Sequence, residues 1–188
     1  MGRAASLKAF DLQLWIDANR ERLQPPVGNK LLFDDAEGMI VMAVGGPNQR
    51  TDYHDDPVEE YFCQLKGDMF LRLMDEPGRP PLEVPIREGE VLLLPAHVRH
   101  SPQRPVPGSV GIVVESPRHG DMKDAFEWYC LDCHALVYRF EYPLRKVEEI
   151  VTVMPPLFEK FYADAALRKC PNCGVVHPGR AALPAAAG

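Results

Sequence analysis

The chain lacks nearly everything that would place it at a membrane or on a nucleic acid. No apolar run approaches the ~20 residues that a membrane span needs. No cluster of Lys or Arg stands out, and 27 acidic residues outnumber 21 basic ones for a formal net charge of -6. That excludes a nucleic-acid partner and leaves an acidic surface whose main consequence is solubility. The first residues, Met1 to Lys8, hold no apolar segment, so the expectation is a cytoplasmic protein without a signal peptide. Met1-Gly2 with Ser6 fits the N-myristoylation pattern loosely, and nothing else points to a membrane. Low-complexity stretches and internal repeats are missing too. A chain of 188 residues without them reads as one domain with room for a small appendage, long enough to bury roughly two-thirds of the surface its unfolded form exposes.

Cysteine is scarce but patterned. Of five cysteines, Cys130 with Cys133 and Cys170 with Cys173 form two CxxC pairs separated by 36 residues. Without an export signal, such pairs read as metal ligands rather than disulfides. Two knuckles make a tetrathiolate set suited to iron or zinc, and Pro171 and Gly174 suit the tight turn of the second. A redox CxxC is the rival reading, and the pairing of two motifs argues against it. His134 and His177 beside the knuckles are weaker ligand candidates. Cys63 reads as a buried apolar residue on the outer face of a strand.

Residues 10–23 have a helical pattern, with Phe10, Leu14 and Ala18 at four-residue spacing and Pro25-Pro26 ending the run. Short apolar segments then follow at 30–33, 39–44, 60–65, 69–74, 82–86, 90–95 and 109–115, bounded by Gly, Pro, Asn or Asp. This spacing predicts an all-β sandwich or barrel. The character shifts after residue 120, so the chain divides into a helix plus barrel at 1–120, a cysteine-bearing segment at 121–180 and a frayed tail at 181–188. Within the second part, Leu136 to Tyr142 reads as a strand, and Pro155-Pro156 starts a helix through Leu157, Phe158, Phe161 and Tyr162.

His54, Glu60 and His100 form a possible set of two histidines and one carboxylate. Such a set binds Fe(II) on one face and leaves positions open for substrate and O2. Six residues of continuous strand would separate His54 from Glu60 by about 20 Å, so the chain must turn at Asp55-Asp56-Pro57. Alternation then puts Glu60, Phe62 and Gln64 on one face of the next strand, taken as the interior, and Tyr61, Cys63 and Leu65 on the other. Either histidine alone reads as a surface loop residue. His97 is an alternative to His100, and Glu59 a weaker alternative to Glu60.

The joint pattern resembles the two motifs of the cupins. Gly46, Asp52, His54, Glu60 and Gly67 follow the first, and Gly89, Pro95, His97, His100 and Arg104 the second. Asp52 stands where the first motif has a histidine, the gap before Glu60 is five residues, His97 replaces a glycine and Arg104 an asparagine. These departures favour a three-ligand site. Longer strings resemble the bacterial 3-hydroxyanthranilate 3,4-dioxygenases: Val44 to Pro57, Leu94 to Pro105, Pro25-Pro26-Val27-Gly28-Asn29, Glu127-Trp128-Tyr129-Cys130 and Pro155-Pro156-Leu157-Phe158-Glu159.

That resemblance implies a cupin (jelly-roll) barrel holding catalytic Fe(2+) at His54, Glu60 and His100. It also implies a rubredoxin-like iron at the four cysteines and a homodimer. The implied reaction opens the ring of 3-hydroxyanthranilate with O2, giving 2-amino-3-carboxymuconate 6-semialdehyde, the precursor of quinolinate on the kynurenine route to NAD. By the same resemblance Arg50 and Arg104 bind the substrate carboxylate, Arg50 also borders O2, and Glu115 bonds the iron-binding groups and moves a proton. Asn29, Phe62 and Pro102 shape the cavity around them, and Glu60 also touches substrate. Each residue has a plain alternative: solvated loop charges for the arginines, a strand end for Glu115, ordinary core for Phe62. Asp52 is either an acceptor that orients a ligand or a turn residue. Two other functions compete, a cupin isomerase or small-molecule sensor and a zinc-ribbon interaction module. The arginine pair speaks for an anionic aromatic substrate, and the histidine motifs go unexplained by a zinc ribbon.

Overall fold

The computed structural model describes residues 8–25, 28–145 and 149–180. The tail expected to fray, the Met1–Ser6 pattern and Pro26-Val27 lie outside them. Eleven strands run along the chain: β1 Asn29–Leu31, β2 Ile40–Gly45, β3 Asp52–Asp55, β4 Glu60–Lys66, β5 Met69–Leu73, β6 Leu82–Ile86, β7 Val91–Leu94, β8 His100–Gln103, β9 Val110–Glu115, β10 Asp124–Tyr129 and β11 Leu136–Tyr142. They form a five-stranded sheet in the order β1-β2-β9-β4-β7 and a six-stranded sheet in the order β11-β10-β3-β8-β5-β6. From β2 to β10 the chain passes repeatedly between the sheets, which makes the barrel a jelly roll. Ile40, Met42, Phe62, Leu71, Ile86 and Val113 fill the space between them.

Period-2 burial is clearest in β4, where Glu60, Phe62 and Gln64 are buried and Tyr61 is exposed, as the alternation predicts. Cys63 lies on the outer face but is only half-buried, not fully buried as expected. Three strands lack the apolar runs that mark the others. β3 and β8 are short and polar, and β10 is buried at all six positions because it lies between β3 and β11 with helices over it. After the turn at residue 120, β10 pairs with β3.

The N-terminal helix is shorter than predicted: α1 spans Leu12–Ala18, and a 3-10 turn at Arg20–Leu23 completes the segment. Asp11 caps α1 by accepting from Leu14 N at 2.9 Å. Phe10, Leu14 and Ala18 are exposed. Leu14 is 69% exposed, and Ile16 and Leu23 pack instead against Ala43 on the outside of the barrel. The C-terminal helices are α2 Glu149–Thr152 and α3 Met154–Ala163. Phe161 of α3 stacks on the fully buried Trp128 of β10 at 4.3 Å between ring centroids, which seats α3 on the six-stranded sheet. Among the described residues no helix is long and apolar enough to cross a membrane.

Candidate active site

A cavity of about 210 Å³ opens at one end of the barrel. At ~30 Å³ per water, that is room for a single-ring compound. It collects Asn29, Arg50, His54, Glu60, Phe62, His100, Pro102, Arg104 and Glu115, every residue the sequence singled out for the catalytic site. His97 and Glu59 are not among its walls. His97 is two-thirds exposed and bonds Asp55 through Nδ1 at 2.9 Å, and Glu59 faces solvent. His97 has φ +63, the left-handed conformation that explains why related motifs place glycine there.

Two cross-strand pairs face each other across the barrel. His54 on β3 is directly opposite His100 on β8, and Glu60 on β4 is directly opposite Glu115 on β9. Such partners bring their side chains within about 5 Å. The His100 ring donates from Nδ1 to the Val98 carbonyl at 2.9 Å, which leaves Nε2 bare 2.9 Å from Glu60 Oε1. His54 Nδ1 lies 3.4 Å from the same oxygen, while its Nε2 meets Asp124 Oδ1 at 2.9 Å. Glu60 Oε1 is buried and has no hydrogen-bond donor. Three lone-pair atoms converging this way fit a cation between them. Donor atoms on one face of an octahedral ion, each about 2.1 Å from it, sit about 3 Å apart. The three side chains also satisfy the spacing of a metal-holding group.

A buried charge cluster behind His54 escaped the sequence reading. The Arg118 side chain is 4% exposed and reaches three carboxylates: Glu115 at 2.7 Å, Asp56 at 2.8 Å and Asp124 at 2.6 Å. Burial works against its charge, but Glu115, Asp124 and Asp56 hold the guanidinium pKa above its usual range. Burial raises Asp56 to about 8, with help from the Glu115 and Glu60 charges, and burial beside Glu60 also raises Glu115. Burial pushes Asp124 up too, but His54 and Arg118 outweigh it and keep it low. On its open side His54 stacks flat on Phe126 at 4.7 Å.

The two arginines are held differently. Arg104 is 1% exposed, and burial lowers its pKa to about 10. Its Nη1 donates to Gln64 Oε1, and Gln64 is fixed by donating to the Lys66 and Gly67 carbonyls. Gly111 makes room for the pair, since a Cβ there would lie 3.0 Å from Arg104 Nη1. Arg50 is one-third exposed at the cavity and is clamped by Asp52 through Nε at 3.0 Å and through Nη2. Asp52 therefore orients an arginine, neither orienting a histidine ligand nor serving as a mere turn residue.

Away from the cavity the four cysteines converge. Cys130 Sγ is 3.5 Å from Cys173 Sγ, and Cys133 Sγ is 3.6 Å from Cys170 Sγ, too long for disulfides. A tetrahedral ion with sulfur ligands at ~2.3 Å would space them about 3.8 Å apart, so the set fits such an ion. The two knuckles repeat one turn: His134 N bonds the Cys130 carbonyl at 2.9 Å and Gly174 N the Cys170 carbonyl at 3.0 Å. His134 (φ +57) and Gly174 (φ +79) take the same left-handed position. His134 is thus a turn residue. His177 is buried and accepts from Gly179 N through Nδ1 at 3.0 Å, and the grouping of metal-ligand spacing holds the four cysteines and neither histidine.

His177 gives the C-terminal segment an acid sensitivity. Burial, aided by Arg168, lowers its pKa to about 4. The unfolded histidine titrates near 6.5, so the unfolded state binds the extra proton between these values. Stability from His177 is therefore complete above about 6.5 and lost as pH falls toward 4. His177→Phe is expected to flatten the loss of melting temperature over that window relative to the unaltered chain. Parallel curves for the two proteins would disprove it.

A jelly-roll barrel of this topology, with a His–Glu–His group of metal-ligand spacing in its cavity, has the cupin fold. The match to known sequences is narrower. The family model for 3-hydroxyanthranilic acid dioxygenase matches residues 5–162. The 3-hydroxyanthranilate 3,4-dioxygenase of Brucella anthropi is 56% identical over 174 residues, 93% of this chain and 93% of that one. That of Ruegeria pomeroyi is 54% identical over 176 residues, 94% of each chain. That of Shewanella woodyi is 52% identical over 176 residues, 94% of this chain and 90% of that one. The chain belongs to the 3-hydroxyanthranilic acid dioxygenase family.

Proposed function

We propose that this chain opens the ring of 3-hydroxyanthranilate with O2, placing both oxygen atoms in 2-amino-3-carboxymuconate 6-semialdehyde, which closes to quinolinate. The observation that carries this reading is the convergence of His54 Nδ1 and His100 Nε2 on the buried Glu60 Oε1, in one cavity with Arg50 and Arg104. Fe(II) held by those three side chains would supply open positions and the electron transfer that O2 chemistry needs. Arg104 and Arg50 bind the substrate carboxylate through charge-assisted hydrogen bonds, and Arg50 also borders the space for O2. That fixes the ring with its hydroxyl and amine toward His54, Glu60 and Glu115. Glu115 accepts the hydroxyl proton, and burial beside the Glu60 charge raises its proton affinity. Asn29 and Pro102 bound the ring's edge, while Phe62, Phe126, Met154 and Phe158 form an apolar wall that excludes water.

Arg104→Ala is expected to raise KM for 3-hydroxyanthranilate about 10- to 100-fold, the scale of a lost charged hydrogen bond, with a smaller change in kcat. Steady-state O2 uptake measures both, and an unchanged KM would remove Arg104 from substrate binding.

The four cysteines are assigned to iron or zinc, which tie the C-terminal segment together. Five free cysteines suit a reducing cytoplasm. A homodimer is the proposed assembly, and the exposed Tyr61, Leu65, Val91 and Leu93 on β4 and β7 offer one apolar face for it. Light scattering that finds a monomer would overturn that part.

The deciding experiment is O2 consumption by Fe(II)-loaded protein on adding 3-hydroxyanthranilate. Uptake of one O2 per substrate supports the reading. No uptake, with metal bound at His54, Glu60 and His100, overturns the substrate assignment.

A further inference from the structure

The loop that carries Arg50 is anchored from two sides. From the barrel, Gln103 Nε2 donates to the Arg50 carbonyl at 2.9 Å. From the opposite side, the buried Thr51 hydroxyl donates to the Gly179 carbonyl at 2.8 Å, joining positions 128 residues apart. Gly179 belongs to the hairpin that bears Cys170 and Cys173. A bridge between Lys169 and Val176 closes the hairpin, and His177 N bonds the Arg168 carbonyl at 2.8 Å. Arg168 Nη1 in turn donates to the His177 carbonyl at 2.6 Å. Gly179 adopts φ +80, so its carbonyl points at Thr51 through a conformation that other residues rarely take. The Arg180 guanidinium lies 4.9 Å from the Tyr162 ring centre, which keeps this end of the hairpin on α3.

We propose that the four-cysteine module positions the catalytic arginine: by setting Gly179 against Thr51, it holds the Arg50 loop at the mouth of the cavity. The proposal rests on the functional reading above, in which Arg50 touches substrate and O2. The loop is tied to the barrel at both ends, by the Asn48–Arg104 bridge before Arg50 and by Asp52, which opens β3 opposite Trp128, and Asp52 also clamps the Arg50 side chain. Between those ends the Arg50–Thr51 segment is held from the barrel by Gln103 and Ser101 on the Arg50 carbonyl. The Thr51–Gly179 bond adds a hold from the C-terminal segment, and its far end is only as rigid as the knuckle that Cys170 and Cys173 close. Ordering at the cysteines therefore reaches the cavity through one buried hydrogen bond.

The test is Thr51→Val, which keeps the side-chain shape and deletes the donor, with Thr51→Ser as the variant that restores it. Both are made in the full chain, with metal content measured at both sites. Thr51→Val is expected to raise KM for 3-hydroxyanthranilate, and its anaerobic Kd, about tenfold, with kcat little changed, both metals retained and Thr51→Ser near normal. Cys173→Ser is expected to raise KM by a similar factor, and the double variant to go no further, because both break one linkage. A normal KM and Kd in Thr51→Val, or independent multiplying effects of the two changes, would overturn the proposal. No turnover by the unaltered chain would instead overturn the functional reading beneath it.

Discussion

Glu60→Ala is expected to abolish ring cleavage and empty the catalytic metal site while leaving the cysteine site full. Glu60 supplies the one negative charge among the three converging side chains, and His100 turns Nδ1 to the Val98 carbonyl so that Nε2 faces Glu60. Alanine would leave two imidazoles to hold a divalent ion alone. Changing residues that merely orient a ligand costs about 10- to 100-fold in metal affinity or activity, so losing the ligand itself should exceed that. Elemental analysis should fall by one metal per chain, and O2 uptake should fall by more than about 100-fold. Glu115 adds a second signature. Burial raises its pKa first, and the Glu60 charge raises it further, so removing Glu60 should bring Glu115 down toward its usual range. Turnover near normal with one metal still bound in the cavity would shift the carboxylate ligand to Asp56 or Glu115, which share a second metal-competent grouping with Glu60.

How much of this site could be read in advance depended on which face of which strand each residue occupies. Glu60 was legible because β4 alternates, and the Asp-Asp-Pro break before it forces a turn between two candidate ligands. Strands β3 and β8 were not legible as strands, although they carry His54 and His100. Asp52-Tyr53-His54-Asp55 and His100-Ser101-Pro102-Gln103 turn polar groups inward, so the periodicity that marks a strand is missing where the site is built. Arg118, Asp124 and Asp56 left no signal of their own. Asp124 meets His54 only because β10 pairs with β3 in the register that sets Phe126 opposite His54. No spacing rule reaches across 70 residues of chain. The four-residue spacing marked the helix but not its buried side: Ile16 of α1 and Leu23 of the turn after it meet Ala43, while Phe10, Leu14 and Ala18 are exposed. The cysteine knuckles were legible because their chemistry is local in sequence. Their connection to Thr51 was not, because one hydrogen bond between distant loops carries it.

Arg118→Met is expected to destabilise the metal-free protein far more at pH 8 than at pH 5. The Arg118 guanidinium is the cation shared by Glu115, Asp56 and Asp124, all nearly out of water. Methionine keeps much of the volume and strands the three carboxylates. Removing one partner of a buried ion pair costs about 3–5 kcal/mol, which is roughly 10 °C of melting temperature for a domain of this size. The pH dependence follows from which state binds the protons. Unfolded carboxylates titrate near 4. Burial already lifts Asp56 to about 8 and raises Glu115, whereas Asp124 is kept low by His54 and Arg118; loss of Arg118 would raise all three. Between the unfolded and folded values the folded state binds protons that the unfolded state does not. Stability is therefore present at low pH and lost as pH rises through the folded values, more steeply in the variant. The same change should weaken metal binding about 10- to 100-fold, because Asp124 loses the cation that holds it against His54. Melting curves of both proteins at the two pH values, with metal titrations alongside, measure each effect. An equal loss at both pH values would mean that Arg118 acts by packing alone. Unaltered metal affinity would separate the charge cluster from the catalytic site.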